Sequence, residues 1–351
     1  MKTILTFNVG SSSVKASLFV GTTLFWKKNF EYVTTTKQRH AIVRQIASFL
    51  KKEKITVDVV AHRIVHGGPL TKHSLINPKL LKNLKSIAQL APLHDIPEIE
   101  VIEFAQKNIA KKNIAIFDTA FHQSKPLHAA MYGLPISLAK KGIVRYGFHG
   151  ISHEYATKNH KGNVISCHLG SGSSISAIKN GRCVENSMGF TPLEGLVMGT
   201  RCGTIDPSIP LYLQDQGYSR KKIKHILNSE SGILGVSGIS NDMRDLMPKY
   251  NKDRNARLAI DLFVYTVVKT IGAYATVLGG CNTLIFTAGI GENAPMIRQK
   301  ICENLSLLGV KIDPKKNAKN APIISTKSSK VRVIIVKADE ELAMAKIALR
   351  F

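Results

Sequence analysis

The chain has 351 residues, enough for two domains of ordinary size or one large α/β body, and 44% hydrophobic with 21% charged residues is a globular composition that can bury a substantial core. A net charge of +25 would suit a nucleic acid or a membrane surface. The lysines, however, lie in short scattered runs such as KKEK (51–54), RKKIKH (220–225) and PKKNAKN (314–320), without interleaved aromatic residues or a recognised RNA-binding signature, so a solvated surface with no nucleic-acid and no membrane partner is expected.

Apolar periodicity predicts a β-hairpin over 3–9 and 14–20, a helix over 39–53, a strand in VDVVAHRIVH (57–66) and helices over 78–90 and 96–109. NIAIFD (113–118) reads as a buried strand ending on an acid, and 163–183 as a second hairpin. A long helix over 253–279, a strand TLIFTAGIG (283–291), a helix from Ala294, a strand VRVIIV (331–336) and a helix over 339–349 complete an alternating α/β order. The longest apolar region, 259–291, is interrupted by Asp261 and Lys269 and reads as a buried helix and strand. Residues 1–20 lack the pattern of a signal peptide, and five widely spaced cysteines without a C-x-x-C pair suit free thiols, so a cytoplasmic setting is expected.

Two segments share one grammar. LTFNVGSSSVKASLF and ISCHLGSGSSISAIKNG each pass from an apolar strand through a Gly-Ser loop into another apolar strand, with Gly10 and Gly170 separated by 160 positions. That echo points to a duplicated fold with two equivalent loops facing one cleft, although two unrelated hairpins would leave the same trace. GSSS alone is open between a bland turn and a nest of backbone N–H groups for phosphate oxygens. It is not a Walker A loop, because Lys15 follows Gly10 by five positions and a strand, not a helix, continues. AGIGENA (288–294) satisfies G-x-G-x-x-A, which leaves a Rossmann dinucleotide site as a second reading. Its place near the C-terminus favours the more general one, glycines admitting a nucleotide close to the backbone at a helix start.

Polar groups recur where folding alone does not demand them: Arg63 and His66 in HRIVHGG, His94 and Asp95 in APLHD, Asp118 and His122 in FDTAFHQ, His149 in RYGFHGISH, and Arg201 in the Gly-punctuated GFTPLEGLVMGTRCGTIDP. The His62/His66 and His149/His153 spacings are broken by glycines and β-branched residues that argue against an aligned zinc pair. Hydrogen-bonded core roles are expected for His62, His66 and His122, and a lone arginine could equally form a surface ion pair. Two arginines in Gly-rich settings, with a carboxylate and a histidine, shift the balance toward bidentate recognition of a carboxylate or phosphoryl group. Phosphoryl transfer needs such cations and donors and little covalent chemistry.

Taken in order, NVGSSSVK, HRIVHGG, APLHD, FDTAFHQ, RYGFHG, CHLGSGSS, MGFTPLEGLVMGTRCG, NDMRDL, FTAGIGEN and DEEL resemble the acetate kinase family from residue 3 to about 345. The resemblance implies an α/β fold of two duplicated ribonuclease H-like domains, the actin-like ATPase fold, with a central cleft. It implies an N-terminal lobe over 1–147, a C-terminal nucleotide-binding lobe over 148–339, and a C-terminal helix (340–351) packed back on the first. The implied reaction is ATP + acetate ⇌ ADP + acetyl phosphate with Mg²⁺ (Mn²⁺ as the alternative), in a homodimer.

The same resemblance implies the roles. Asn8 and Glu340 match the positions associated with the metal, and Ser11, Ser13 and Lys15 the first phosphate loop. Arg63 and Arg201 match the pair that holds the carboxylate and the transferring phosphoryl group, Asp118 the catalytic acid, His149 the transition-state stabiliser, and His94 lines the site. His168, Leu169, Gly170, Ser171 and Gly172, then Asp242, Met243 and Arg244, then Gly289, Ile290, Gly291, Glu292 and Asn293 match the ATP-binding segments. Val65, Leu93, Phe148 and Pro192 match the pocket for the methyl group. A residue smaller than valine at 65 would admit another methylene, so acetate is favoured over propionate or another short-chain carboxylate, by a margin of about 1–3 kcal/mol. The sequence departs from the family pattern at Ser171 (asparagine is usual), Thr204 (aspartate), Asp95 (asparagine) and Ile96 (proline), and is shorter over 20–60.

Overall fold

The computed structural model describes residues 1–10, 13–70 and 72–351, with the side chain of Leu93 outside the description. Its contacts divide the chain into two units: Met1–Gln123 with Phe148–Tyr155 and Asp339–Phe351, and Ser124–Gly147 with Ala156–Ala338.

In the first unit β1 (Thr3–Val9), β2 (Ser13–Val20) and β3 (Thr23–Glu31) form an antiparallel meander. β4 (Val59–Ile64) lies parallel to β1, and β5 (Ser74–Leu75) edges β6 (Asn113–Phe117), which is parallel to β4. The order is β3-β2-β1-β4-β6-β5. Strand alternation splits the buried side chains between two faces. Leu5, Phe7, Val14 and Ala16 share a core with Val43 and Ile46 of helix α1 (Thr36–Lys52), whereas Ile4, Val59 and Ile114 share one with Met344, Ala345 and Ala348 of the C-terminal helix Glu340–Ala348. α1 starts at a capping box in which Thr35 Oγ1 accepts from the Gln38 N–H and Gln38 Oε1 accepts from the Thr35 N–H. Helices α2 (Pro78–Ile87) and α3 (Pro92–Asn108) each open with proline in the first turn, where no N–H is required.

The second unit repeats the plan. β7 (Asn163–Leu169), β8 (Ser173–Lys179) and β9 (Arg182–Asn186) form the meander, β10 (Thr283–Thr287) is parallel to β7, and β11 (Arg332–Ile335) is parallel to β10. The order β11-β10-β7-β8-β9 matches that of the first sheet without its edge strand, so the echoed Gly-Ser hairpins belong to a repeated topology. A meander of antiparallel strands also rules out the parallel Rossmann sheet that AGIGENA left open.

The helix Arg254–Leu278 is long and apolar enough to cross a membrane by length and composition, but its Ala259, Ile260, Phe263, Val267 and Ile271 side are buried in the core against β7 and β8. Asp253 caps its start and Gly279, at φ 74°, ends it in the left-handed region.

Several elements differ from expectation. β3 and β9 were not foreseen as strands; β3 is largely exposed and lysine-rich, so no apolar run marks it. α3 begins at Pro92 and not at 96. The strand read over 283–291 stops at Thr287, and Ala288–Asn293 is helical, with Ala288 at φ 66° making the sharp turn.

Candidate active site

In the first unit the sheet gathers four sequence-distant groups. Arg63, near the end of β4, donates from Nε and Nη2 to Asp118 Oδ2 at 3.1 and 2.6 Å, and from Nη1 to Asn8 Oδ1 at 3.1 Å. Glu340 Oε2 lies 4.0 Å from Arg63 Nη1 and accepts from Asn8 Nδ2 at 2.8 Å. Strand pairing dictates this convergence: β1, β4 and β6 are adjacent and parallel, so Asn8, Arg63 and Asp118 emerge at one sheet end, while the C-terminal helix starts at Glu340. Burial opposes the charge on Arg63, but Asp118 and Glu340 outweigh it and hold the guanidinium well above its ordinary range. Burial raises the Asp118 carboxyl, with Arg63 pulling the other way. Arg63 is thus a fixed cation with 14% of its side chain exposed.

Val65, two residues beyond Arg63, and Phe148 are both buried, with Phe148 packed edge-on to His66 at 5.3 Å. His122 Nε2 meets the Phe148 carbonyl at 2.8 Å, and His66 Nδ1 accepts from the Gly68 N–H at 3.0 Å. His62 meets Asn113 Oδ1 at 2.7 Å and is pushed down to about 4 by burial, so it is a neutral core residue. His149 has φ 56°, an uncommon left-handed conformation for a non-glycine residue. The next residue explains how it is held there: the Gly150 N–H donates to the Asp118 carbonyl at 2.9 Å, and a Cβ at Gly150 would sit 2.0 Å from that oxygen. His149 and Asp118 are therefore joined through backbone. His94 lies in the first turn of α3. Ser11 and the side chain of Leu93 lie outside the described residues; Ser13 and the exposed Lys15 open β2, with Lys15 paired across the hairpin to Asn8.

The second unit holds a cavity of 440 Å³ lined by Gly170 and Ser171 from the β7–β8 loop, Asp242, Met243 and Arg244, and Gly289, Ile290 and Asn293 at the end of β10. This size suits a nucleotide, and eight of the residues singled out from the sequence converge there. His168, Leu169, Gly172, Gly291 and Glu292 do not line it; Leu169 is fully buried, and Glu292 Oε1 accepts from the Ala338 N–H at 2.8 Å. Asp242 caps the helix Met243–Leu246 and meets Arg244 Nη2 at 2.5 Å, which lowers its carboxyl.

Arg201 is held by its own loop, where Nη1 donates to the Pro192 carbonyl at 3.0 Å. The loop is pinned at several points. The Gly199 N–H donates to Ser171 O at 3.0 Å and the Ile233 N–H to Met198 O at 2.8 Å. Thr204 Oγ1 accepts from the Gly195 N–H at 3.1 Å, so the departure from aspartate leaves a loop staple. Thr204→Val is expected to cost about 1 kcal/mol in urea unfolding, the worth of one such bond.

Two residues escaped the sequence reading. Glu341 is buried, accepts from Asn8 Nδ2 at 3.2 Å and pairs with Lys27 at 3.3 Å; its neighbour in DEEL drew the attention. Arg298 is fully buried, donating to Asn317 Oδ1, to the Gly291 carbonyl and to Asn320 Oδ1 at 2.8, 2.9 and 2.6 Å, and so braces the Ala288–Asn293 helix. An arginine inside an amphipathic run carries no sign of such burial.

The Acetokinase family model matches residues 3–346. Over 306 residues the chain is 45% identical to an acetate kinase of Clostridium novyi (strain NT), spanning 83% of this chain and 76% of that protein. Among solved structures, a propionate kinase from Francisella tularensis subsp. tularensis SCHU S4 superposes with a TM-score of 0.90 at 37% identity over 99% of each chain. An acetate kinase from Entamoeba histolytica superposes with a TM-score of 0.91 at 33% identity, over 100% of this chain and 99% of that one.

Proposed function

The chain belongs to the acetokinase family and is a phosphotransferase of the actin-like ATPase fold, and we propose that Arg63, Asp118, His149 and Arg201 carry phosphoryl transfer from ATP to acetate. The observation that supports this most is the Arg63 guanidinium, held charged by Asp118 and Glu340 at the end of the strand that leads into the buried Val65. A planar anion with one small apolar group is what such a site would recognise.

Acetate is ionised at pH 7 and needs no base to attack phosphorus. Asp118 accordingly orients Arg63 instead of abstracting a proton. Arg63, Arg201 and His149 supply donors for the carboxylate and for the equatorial phosphoryl oxygens. The second unit's cavity takes the nucleotide, Gly170 and Gly289 letting the backbone approach it.

Among the described residues no group of three or more His, Cys, Asp or Glu side chains could hold a metal. That suits Mg²⁺, which binds through one or two protein oxygens and the substrate's phosphates. Glu340, with the Asn8 side chain beside it, would hold the ion, and Mn²⁺ suits the same oxygens. Bound there, the ion would neutralise charge on the phosphate oxygens. A homodimer follows from the family resemblance, and free cysteines throughout suit the cytoplasm.

Purified protein with ATP, Mg²⁺, acetate and hydroxylamine should yield acetohydroxamate that depends on both substrates; none above background at high acetate would sink the reading. The solved neighbour named as a propionate kinase makes propionate the second reading. Val65→Ala is expected to shift the propionate-to-acetate ratio of kcat/KM upward by about tenfold, the worth of one methylene. An unchanged ratio would remove Val65 from the acyl pocket.

A further inference from the structure

The second structural feature of this site is a pair of carboxyl groups behind it. α3 sets Asp95 and Glu98 one turn apart on one face, and both are buried. Asp95 Oδ1 accepts from the His66 N–H and Glu98 Oε2 from the Val65 N–H, each at 3.1 Å. These are consecutive amides just past the end of β4, two and three residues beyond Arg63. The two remaining oxygens, Asp95 Oδ2 and Glu98 Oε1, are buried and meet no hydrogen-bond donor among the described residues, and the two carboxyl groups are within hydrogen-bonding reach of each other.

Two touching buried carboxylates cannot both stay ionised, because each opposes the other's charge where no water screens it. One proton between them makes one oxygen a donor and the other an acceptor, and both orphaned atoms are then satisfied. We propose that Asp95 and Glu98 share one proton and act as a single positioning clamp on the Val65–His66 backbone, fixing the apolar wall and, through β4, Arg63.

The surroundings agree. Burial raises both carboxyls, Asp95 to about 8 and Glu98 well above its usual range; the Asp95 charge adds to the rise at Glu98, while the hydrogen bond from Glu98 draws Asp95 back. The charged groups facing the pair are Asp118, which raises both, and Arg63, which pulls Glu98 down; His66 contributes its backbone amide, and His94 precedes Asp95 on the same helix. Both carboxyls act on backbone amides, so both are positioning residues. The kinetic part of the proposal rests on Arg63 and Val65 being at the carboxylate end of the site, whereas the shared proton does not.

Two measurements therefore separate the parts. In Asp95→Asn the amide oxygen still accepts from the His66 N–H, and the amide N–H donates where the proton sat. The wild-type KM for acetate is expected to rise about fivefold or more from pH 7 to pH 9.5 as the proton leaves, with kcat changing less. Asp95→Asn should match the wild-type KM at pH 7 and stay flat above it, and Asp95→Ala should show the raised KM at every pH. A wild-type pH profile in Asp95→Asn, or a wild-type KM in Asp95→Ala, would overturn the clamp.

The second measurement is melting temperature against pH. The folded pair keeps a proton that the unfolded chain gives up near its ordinary carboxyl value. The proton's contribution to stability is thus fully present below about pH 4 and is lost as pH rises to about 8. Wild type should therefore lose melting temperature relative to Asp95→Asn across that window and level off above it. A difference that does not vary with pH would overturn the shared proton. If the slope is present while Arg63→Ala keeps full turnover, the assignment of Arg63 fails together with the kinetic clamp, and the proton pair stands.

Discussion

Arg63→Ala is expected to lower kcat/KM for acetate on the order of a thousandfold, measured as hydroxamate formation at saturating ATP. The loss has two sources. One is the removal of the guanidinium fork that we propose holds the carboxylate and the transferring group. The other is the Asp118 carboxyl, fully buried and left without the Nε and Nη2 donors that now reach it at 3.1 and 2.6 Å. Breaking one side of a buried pair in this way destabilises by about 3–5 kcal/mol, which urea unfolding would register. Adding Asp118→Asn to Arg63→Ala removes the uncompensated charge and should recover part of that stability while restoring no turnover. Arg63→Lys keeps a positive charge but not the fork, and should fall between wild type and alanine in turnover. Wild-type kinetics in Arg63→Ala would contradict the role assigned to it.

Gly150→Ala is the second large effect, and it acts through backbone. A Cβ at this position would lie 2.0 Å from the Asp118 carbonyl and 3.0 Å from Phe121 Cβ, and the near neighbour is a backbone atom that cannot rotate away. The Gly150 N–H and the Asp118 carbonyl must separate, which breaks their 2.9 Å hydrogen bond and moves the strand-end acid and His149 apart. The expected cost is about 3 kcal/mol or more in urea unfolding, above the usual range for an added methyl, with loss of most turnover. Gly181, where a Cβ would meet nothing within 4 Å, serves as the control, since Gly181→Ala bears only the cost of its φ of 80°. Equal stability losses at the two positions would contradict the close-approach argument.

The duplicated sheet was readable because β1, β2, β7 and β8 carry strong apolar runs around Gly-Ser loops. β3 was not, since a strand that pairs on one edge and faces solvent needs no apolar pattern. The strand-end positions of Arg63 and Asp118 could be inferred from a polar residue closing an apolar run. Their partnership with Asn8 and Glu340 could not, because contacts between residues 55 and 332 apart are set by strand order. Nothing in RYGFHGISH marks Gly150; only the approach of the Asp118 carbonyl gives it a reason. Asp95 looked like a departure at one position of a motif. Its meaning lies in Glu98, three residues on, and in two amides about 30 residues away that only packing of α3 on β4 brings within reach.

We propose that Arg63 serves acetate and not the nucleotide. Calorimetric titration of ADP into wild type and Arg63→Ala, alongside turnover on the same samples, separates the two. ADP dissociation constants should be equal within about threefold while acetate turnover falls about a thousandfold. ADP affinity falling in step with turnover, or turnover surviving the substitution, would contradict the proposal.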